Sequence, residues 1–245
     1  SEGTLGIVTE ITLRLYGIPE NISAAVVPFD SVEGAVDTVI CTIQSGIPIA
    51  RIELLDDVQI DAINKYSNLD YPVQPTLFFE FHGSDAGVKE QAETVQAIAD
   101  DFGSADFKWA TKAEDRTKLW QARHDAYYAA LALRPGAKGM ATDVCVPISR
   151  LAECILETKK DIEESGILAP IVGHVGDGNF HLLILVEPGN EAELQAAQAL
   201  AKAVSLLALE LGGTVTGEHG IGLGKKKYMQ AEHGDAYELM GLLKQ

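Results

Sequence analysis

The sequence is poor in basic residues, in cysteine and in long apolar runs, and each shortage closes a route. Nineteen Lys and Arg stand against 36 Asp and Glu, a formal net charge of −17. Binding a polyanion needs clustered cations that displace its counterions. The nearest approach here is Lys225-Lys226-Lys227, too short to follow a phosphate backbone, so a general nucleic-acid binder is excluded. The three cysteines, Cys41, Cys145 and Cys154, are odd in number and show no CxxC spacing. That fits a reducing compartment and excludes a cysteine-only metal site. No apolar stretch reaches the ~18 residues of a membrane span, so no transmembrane segment is expected. Two nucleotide motifs also fail. Gly224-Lys225 has His219 where a Walker loop needs glycine and Lys226 where it needs Ser or Thr, and no strand leads into a Rossmann fingerprint.

What remains is an ordinary globular composition, 47% hydrophobic and 22% charged, over 245 residues. That length suits one large domain or two small ones. The opening "SEGTLGIVTEITLRL" carries neither an initiator Met nor a leader and reads as the middle of a larger fold, so the chain is expected to be a fragment. Alternation of Ile7, Thr9, Ile11 and Leu13 predicts a strand over Ile7–Leu15, and "YGIPE" places a domain boundary near Gly17.

After that boundary the periodicity predicts strands over Ile22–Phe29, Ala50–Leu55 and Thr76–His82, the last two separated by a short helical stretch. Helices are predicted over Ser31–Ser45, capped by Ser31, and Asp85–Phe102, with a short strand at Phe107–Ala110. A linking helix, about Lys112–Leu133, ends at "RPG". The second half repeats the order: a strand over Thr142–Pro147, a helix over Ser149–Ser165 capped by Ser149, strands over Ala169–Val175 and Phe180–Val186, and a helix over Asn190–Leu211. Each half then approximates a split βαβ, or ferredoxin-like, unit. The expected fold is α+β, an antiparallel sheet with helices on one face.

Two glycine-rich segments hold the candidate chemistry. In "GHVGDGNFH" His174 and His181 flank turn-forming residues, and two arms joined by a tight turn can bring imidazoles onto one metal ion. Either histidine alone would more often be a hydrogen-bonded structural residue. The second segment, "GTVTGEHGIGLGKKKYM", spaces its glycines too closely for a helix or strand, so Glu218 and His219 sit on a loop. His174, His181 and Glu218 make a three-ligand set with room for substrate, and His219 is free for general-base work. Zinc and manganese suit such a set alike. Arg123 in "LWQARHDAYYAAL" reads equally well as a clamp for a substrate carboxylate and as a solvated helix arginine. Cys145 reads as a core residue.

Together "GHVGDGNFH", "GEHGIG" with its following Gly-Lys, "TDVCVP" and "SEGTLG" resemble the flavin-linked D-2-hydroxy-acid dehydrogenases of the vanillyl-alcohol-oxidase type, over nearly the whole chain. The cytochrome-linked D-lactate dehydrogenases are the nearest group. The resemblance implies that residues 1–16 are the tail end of an FAD-binding domain, with Glu2, Gly6 and Ile7 along the cofactor, and that 17–245 is the substrate-binding cap. It implies a divalent metal on His174, His181 and Glu218, His219 as base on the substrate hydroxyl, and Arg123 on its carboxylate. The implied reaction is oxidation of a D-2-hydroxy acid, D-lactate first, by hydride transfer to FAD. Ala141 stands where relatives acting on 2-hydroxyglutarate carry a lysine, which disfavours a dicarboxylic substrate. A cytochrome, a quinone or an electron-transfer flavoprotein would accept the electrons, and the reading admits a homodimer. The location expected is the cytoplasm of a bacterium or the mitochondrion of a eukaryote. Two readings compete: a metal-dependent hydrolase, and a ferredoxin-like binding module with a structural metal.

Overall fold

The computed structural model describes residues 4–245. Its first half runs β1 (Asn21–Pro28), α1 (Val32–Gln44), β2 (Arg51–Leu55), α2 (Asp57–Ser67), β3 (Thr76–Gly83), α3 (Asp85–Asp101) and β4 (Lys108–Ala110). Local chemistry sets these limits. The Ser31 and Ser84 side chains accept from the backbone N–H groups of Gly34 and Gly87, starting α1 and α3. Asp56 does the same for α2 through Gln59, and Asn68 in the left-handed region ends that helix.

A longer connection follows, α4 (Ala113–His124) and α5 (Ala126–Ala132), so the single linking helix expected there is in fact two, divided at Asp125. The second half runs β5 (Lys138–Ala141), β6 (Val144–Cys145), α6 (Leu151–Ser165), β7 (Ile171–Gly173), β8 (Asn179–Val186) and α7 (Glu191–Glu210). Beyond the glycine-rich loop lie two C-terminal helices, Met229–His233 and Asp235–Lys244.

The first half pairs in the order β4-β1-β3-β2, all antiparallel, as a split βαβ unit requires. The second half repeats this order as β7, β8, then β5 and β6, with Thr214 reduced to a single bridge on Cys145. Antiparallel pairing of β2 with β7 joins the halves into one sheet. Helices α1, α3, α6 and α7 cover one face over a continuous core that includes Val27, Leu54, Phe79, Phe81, Phe180 and Leu182. The alternate residues point the other way. There α2, α4 and α5 pack on Val26, Leu55 and Phe78, adding helices to the second face beyond the one-face arrangement expected.

Three further details differ from the sequence expectation. Ile7–Leu15 forms no strand. A single strand gains stability only by pairing, no partner for it lies among the described residues, and Ile7 is 88% and Leu15 86% exposed. Ser149 caps no helix, because a 3₁₀ turn over Ile148–Arg150 precedes α6. The strand expected at Thr142–Pro147 appears as β6 and is preceded by β5, which the "KGMA" sequence does not announce by alternation. Register continues across the gap, with Ala141 opposite Leu183 and Val144 opposite Phe180.

Candidate active site

Register lays out the site before any side chain is considered. Asp143, in the gap between β5 and β6, falls opposite His181 of β8, and opposed residues of an antiparallel pair share a face. Leu54 pairs with Gly173, so continuing that register puts Glu53 opposite His174. Both pairs lie on the face away from the main core. The turn between the histidine arms is a 3₁₀ turn over Val175–Asp177, closed by Gly178 at φ +79°. A Cβ at Gly178 would lie 2.2 Å from the Val146 carbonyl oxygen, so only glycine allows the arms to approach β6 this closely.

The three expected ligands meet. His174 Nε2 and His181 Nε2 lie 3.2 and 3.1 Å from the same oxygen, Glu218 Oε1. Each ring is held from behind. His181 Nδ1 donates to the Thr142 carbonyl at 3.1 Å, and His174 Nδ1 donates to Glu53 Oε1 at 2.7 Å. A carbonyl can only accept, so Nδ1 of His181 carries its proton and Nε2 offers a lone pair. Burial pulls the His181 imidazole below its ordinary value, outweighing the Thr142 carbonyl and the Asp143 carboxylate, and so favours the neutral ring. A lone pair facing a carboxylate oxygen at that distance is repulsive unless a cation lies between them. The separations suit two ligands of one ion at about 2.0–2.2 Å each, and an oxygen behind each ring is what metal-binding histidines require. The residues fit a divalent metal. His174 behaves differently from His181: its hydrogen bond to Glu53 raises its pKa, outweighing burial.

Asp143, His181 and His219 form a second possible ligand group. It is the weaker of the two, because Asp143 is saturated. Its buried carboxylate (1% exposed) accepts from Asn179 Nδ2 at 2.9 Å, Thr216 Oγ1 at 2.9 Å and the backbone N–H groups of Glu218 and His219 at 3.1 and 2.9 Å. Lys225 Nζ approaches at 3.4 Å. Burial pushes the Asp143 carboxyl up, but the hydrogen bonds, led by the His219 backbone, overcome it and hold the group well below the usual carboxylate range. Asp143 thus works as the anchor that shapes the glycine-rich loop. Gly217 allows the loop in, since a Cβ there would lie 2.0 Å from Asn179 Nδ2.

Glu218 and His219 are half exposed, 48% and 50%. His174 and Glu218, together with Cys145, Asp177, Asn179 and Gly217, line a cavity of about 400 Å³. Such an opening is unlike the closed four-ligand cage of a structural zinc. Arg123 reaches the same face from α4 and donates to Glu53 Oε2 from Nε at 3.1 Å, with a terminal nitrogen at 3.0 Å. Gly6 and Ile7 lie on the exposed N-terminal segment, and Glu2 lies outside the described residues. Cys145, expected in the core, is only partly buried at the cavity wall, its thiol donating to the Asp177 carbonyl.

Sequence reasoning missed Glu53 and Asp143. The available signal was an acid inside an apolar strand, in "RIELL" and "ATDVCV". A buried carboxylate needs partners, and here the partners are the site.

The profile of the family described as "FAD linked oxidases, C-terminal domain" matches residues 18–245. The chain is 54% identical over 245 residues to a Danio rerio protein named probable D-lactate dehydrogenase, mitochondrial, covering all of this chain and 49% of that one. It is 45% identical to an Arabidopsis thaliana protein named D-lactate dehydrogenase [cytochrome], mitochondrial, covering all of this chain and 43% of that one. The chain thus spans about half the length of these relatives. In fold it is similar to a 4-ethylphenol oxidase from Gulosibacter chungangensis, with a TM-score of 0.67 at 14% identity over 95% of this chain and 53% of that one. Among the described residues no helix is long and apolar enough to cross a membrane.

Proposed function

Because this chain belongs to the FAD linked oxidase C-terminal domain family, we propose that it forms the substrate- and metal-binding part of an enzyme that oxidises a D-2-hydroxy acid to the 2-oxo acid. The convergence of His174, His181 and Glu218, with His219 alongside, carries this reading. Names of the relatives and the small Ala141 side chain favour D-lactate over a dicarboxylic acid.

The chain's own residues divide the work. Arg123 donates its Nε–H to Glu53, with one terminal nitrogen in ion-pair contact, and has its other terminal N–H groups to grip the substrate carboxylate. That grip fixes which face of C2 is presented for reaction. His219 takes the proton of the substrate hydroxyl. A divalent ion on His174, His181 and Glu218, zinc or manganese, would polarise that hydroxyl. FAD, when bound, supplies the two-electron acceptor for the hydrogen on C2. Residues 1–16, with Glu2, Gly6 and Ile7, belong in this reading to the flavin-binding part, and 17–245 to the cap.

The relatives' names point to a cytochrome as the electron acceptor and to a mitochondrial location in a eukaryote, with the cytoplasm as the bacterial counterpart. The test is anaerobic mixing of the flavin-loaded protein with D- and L-lactate. Bleaching of the flavin absorbance by the D isomer alone is expected. A protein that takes up no flavin, or that L-lactate reduces equally well, would overturn the reading.

A further inference from the structure

Glu53 belongs to none of the motifs that mark the site, yet its buried carboxylate touches one of the three ligands. Its side chain is 6% exposed, between Ile52 and Leu54, which face the main core. Both oxygens are used. Oε1 accepts from His174 Nδ1 at 2.7 Å, and Oε2 accepts from Arg123 Nε at 3.1 Å with a terminal guanidinium nitrogen at 3.0 Å. One strand residue therefore touches a ligand ring and the substrate clamp together, 121 and 70 residues away in sequence.

We infer that Glu53 is a positioning residue that sets metal affinity and substrate-carboxylate affinity at once, by orienting the His174 ring with one oxygen and the Arg123 fork with the other. The inference rests on the proposed roles of His174 and Arg123.

A carboxylate accepting from Nδ1 keeps the proton there, so Nε2 presents its lone pair toward Glu218, and the ring cannot turn without breaking a short charge-assisted bond. On the other side, the Nε hydrogen bond and the terminal-nitrogen contact to one oxygen orient the guanidinium plane and leave its remaining edge for an incoming carboxylate. Because β2 is an interior strand, paired on both sides by β3 and β7, the backbone under Glu53 cannot yield to absorb a change. Both arms therefore respond to the same substitution.

Glu80 supplies the control. It is a buried glutamate on the same face of the neighbouring strand β3, but it pairs with His82 at 2.9 Å and Arg51 at 4.0 Å, away from the ligands.

The test uses the flavin-loaded protein stripped of metal and titrated with Zn²⁺ or Mn²⁺ against a chromophoric chelator, without substrate. Glu53→Gln is expected to weaken metal binding about 10- to 100-fold. At saturating metal it should raise the D-lactate KM roughly tenfold or more, because the amide can no longer accept from both partners. Glu80→Gln should leave both quantities unchanged. A purely structural role would lower the unfolding temperature of Glu53→Gln yet leave metal affinity and KM of the folded protein at wild-type values, and that result overturns the inference. If Glu53→Gln fails to fold, Glu53→Asp keeps the charge on a shorter arm and should show smaller losses of both affinities. Wild-type affinities in Glu53→Asp would overturn the inference. Failure of the parent protein to take up either metal would instead overturn the metal site itself, and with it the His174 arm.

Discussion

His181 lies against His219 with ring centroids 4.8 Å apart and planes 14° from parallel. One ring is buried and held by Thr142, the other half exposed beside Glu218. Stacking sets the outer ring with respect to the inner one without placing it in the better ligand group. His219→Ala should therefore slow flavin reduction by D-lactate roughly 10²- to 10⁴-fold, the usual range for loss of a general base. Metal content should stay near wild type. Rapid mixing and elemental analysis on the same preparation check both halves, and loss of the metal would favour the Asp143–His181–His219 group instead.

The glycine-rich loop makes a positional prediction. A methyl at Gly217 collides with Asn179 Nδ2, whereas nothing lies within 4 Å of a Cβ at Gly224. Gly217→Ala should displace the Asn179–Asp143 hydrogen bond and abolish most of the activity, and Gly224→Ala should lower it by less than about threefold, since an exposed loop tolerates a methyl. Steady-state rates of the two variants decide this.

Asp143 organises that loop, and its removal strands several donors. Asp143→Ala should destabilise the fold by about 3 kcal/mol, in line with orphaned buried partners. Its carboxyl is held below the usual range in the folded chain. The stabilisation is thus complete above the ordinary carboxylate value and fades as pH falls below it. Denaturant unfolding at pH 7 and pH 3 should show a smaller difference between wild type and Asp143→Ala at the lower pH.

Asp56 gives the opposite sign. Burial raises its carboxyl to about 7, against the Gln59 backbone N–H that it caps. The folded chain favours the protonated form, so this contribution is complete below the ordinary carboxylate value and is lost as pH rises through about 7. Asp56→Asn keeps an acceptor for the cap without the buried charge. It should raise the unfolding temperature at pH 8 by on the order of 5 °C and change it little at pH 4. Calorimetry at the two pH values is the check.

Much of the fold was legible because its signals are local. Ser31 caps its helix where the sequence says it should, and alternation in the first half yields strands that pair as a split βαβ unit. Reading failed where pairing decides the outcome. Ile7–Leu15 alternates but finds no partner among the described residues, whereas "KGMA" does not alternate and pairs with β8. The site divides in the same way. His174, His181, Glu218 and His219 sit among glycines that announce a loop or turn. Glu53 sits in a strand and Asp143 in the short gap between two, and both acquire meaning only through partners up to 121 residues away.

His174, His181 and Glu218 are expected to hold one divalent ion that the reaction needs. Flavin-loaded protein, depleted of metal by a chelator, should be mixed anaerobically with D-lactate and monitored at the flavin absorbance before and after Zn²⁺ or Mn²⁺ is restored. The expected result is a rate of bleaching that falls at least tenfold on depletion, consistent with loss of the charge that polarises the hydroxyl, and that recovers with one of the two ions. Equal bleaching in the depleted and restored protein, with depletion verified by elemental analysis, would contradict it.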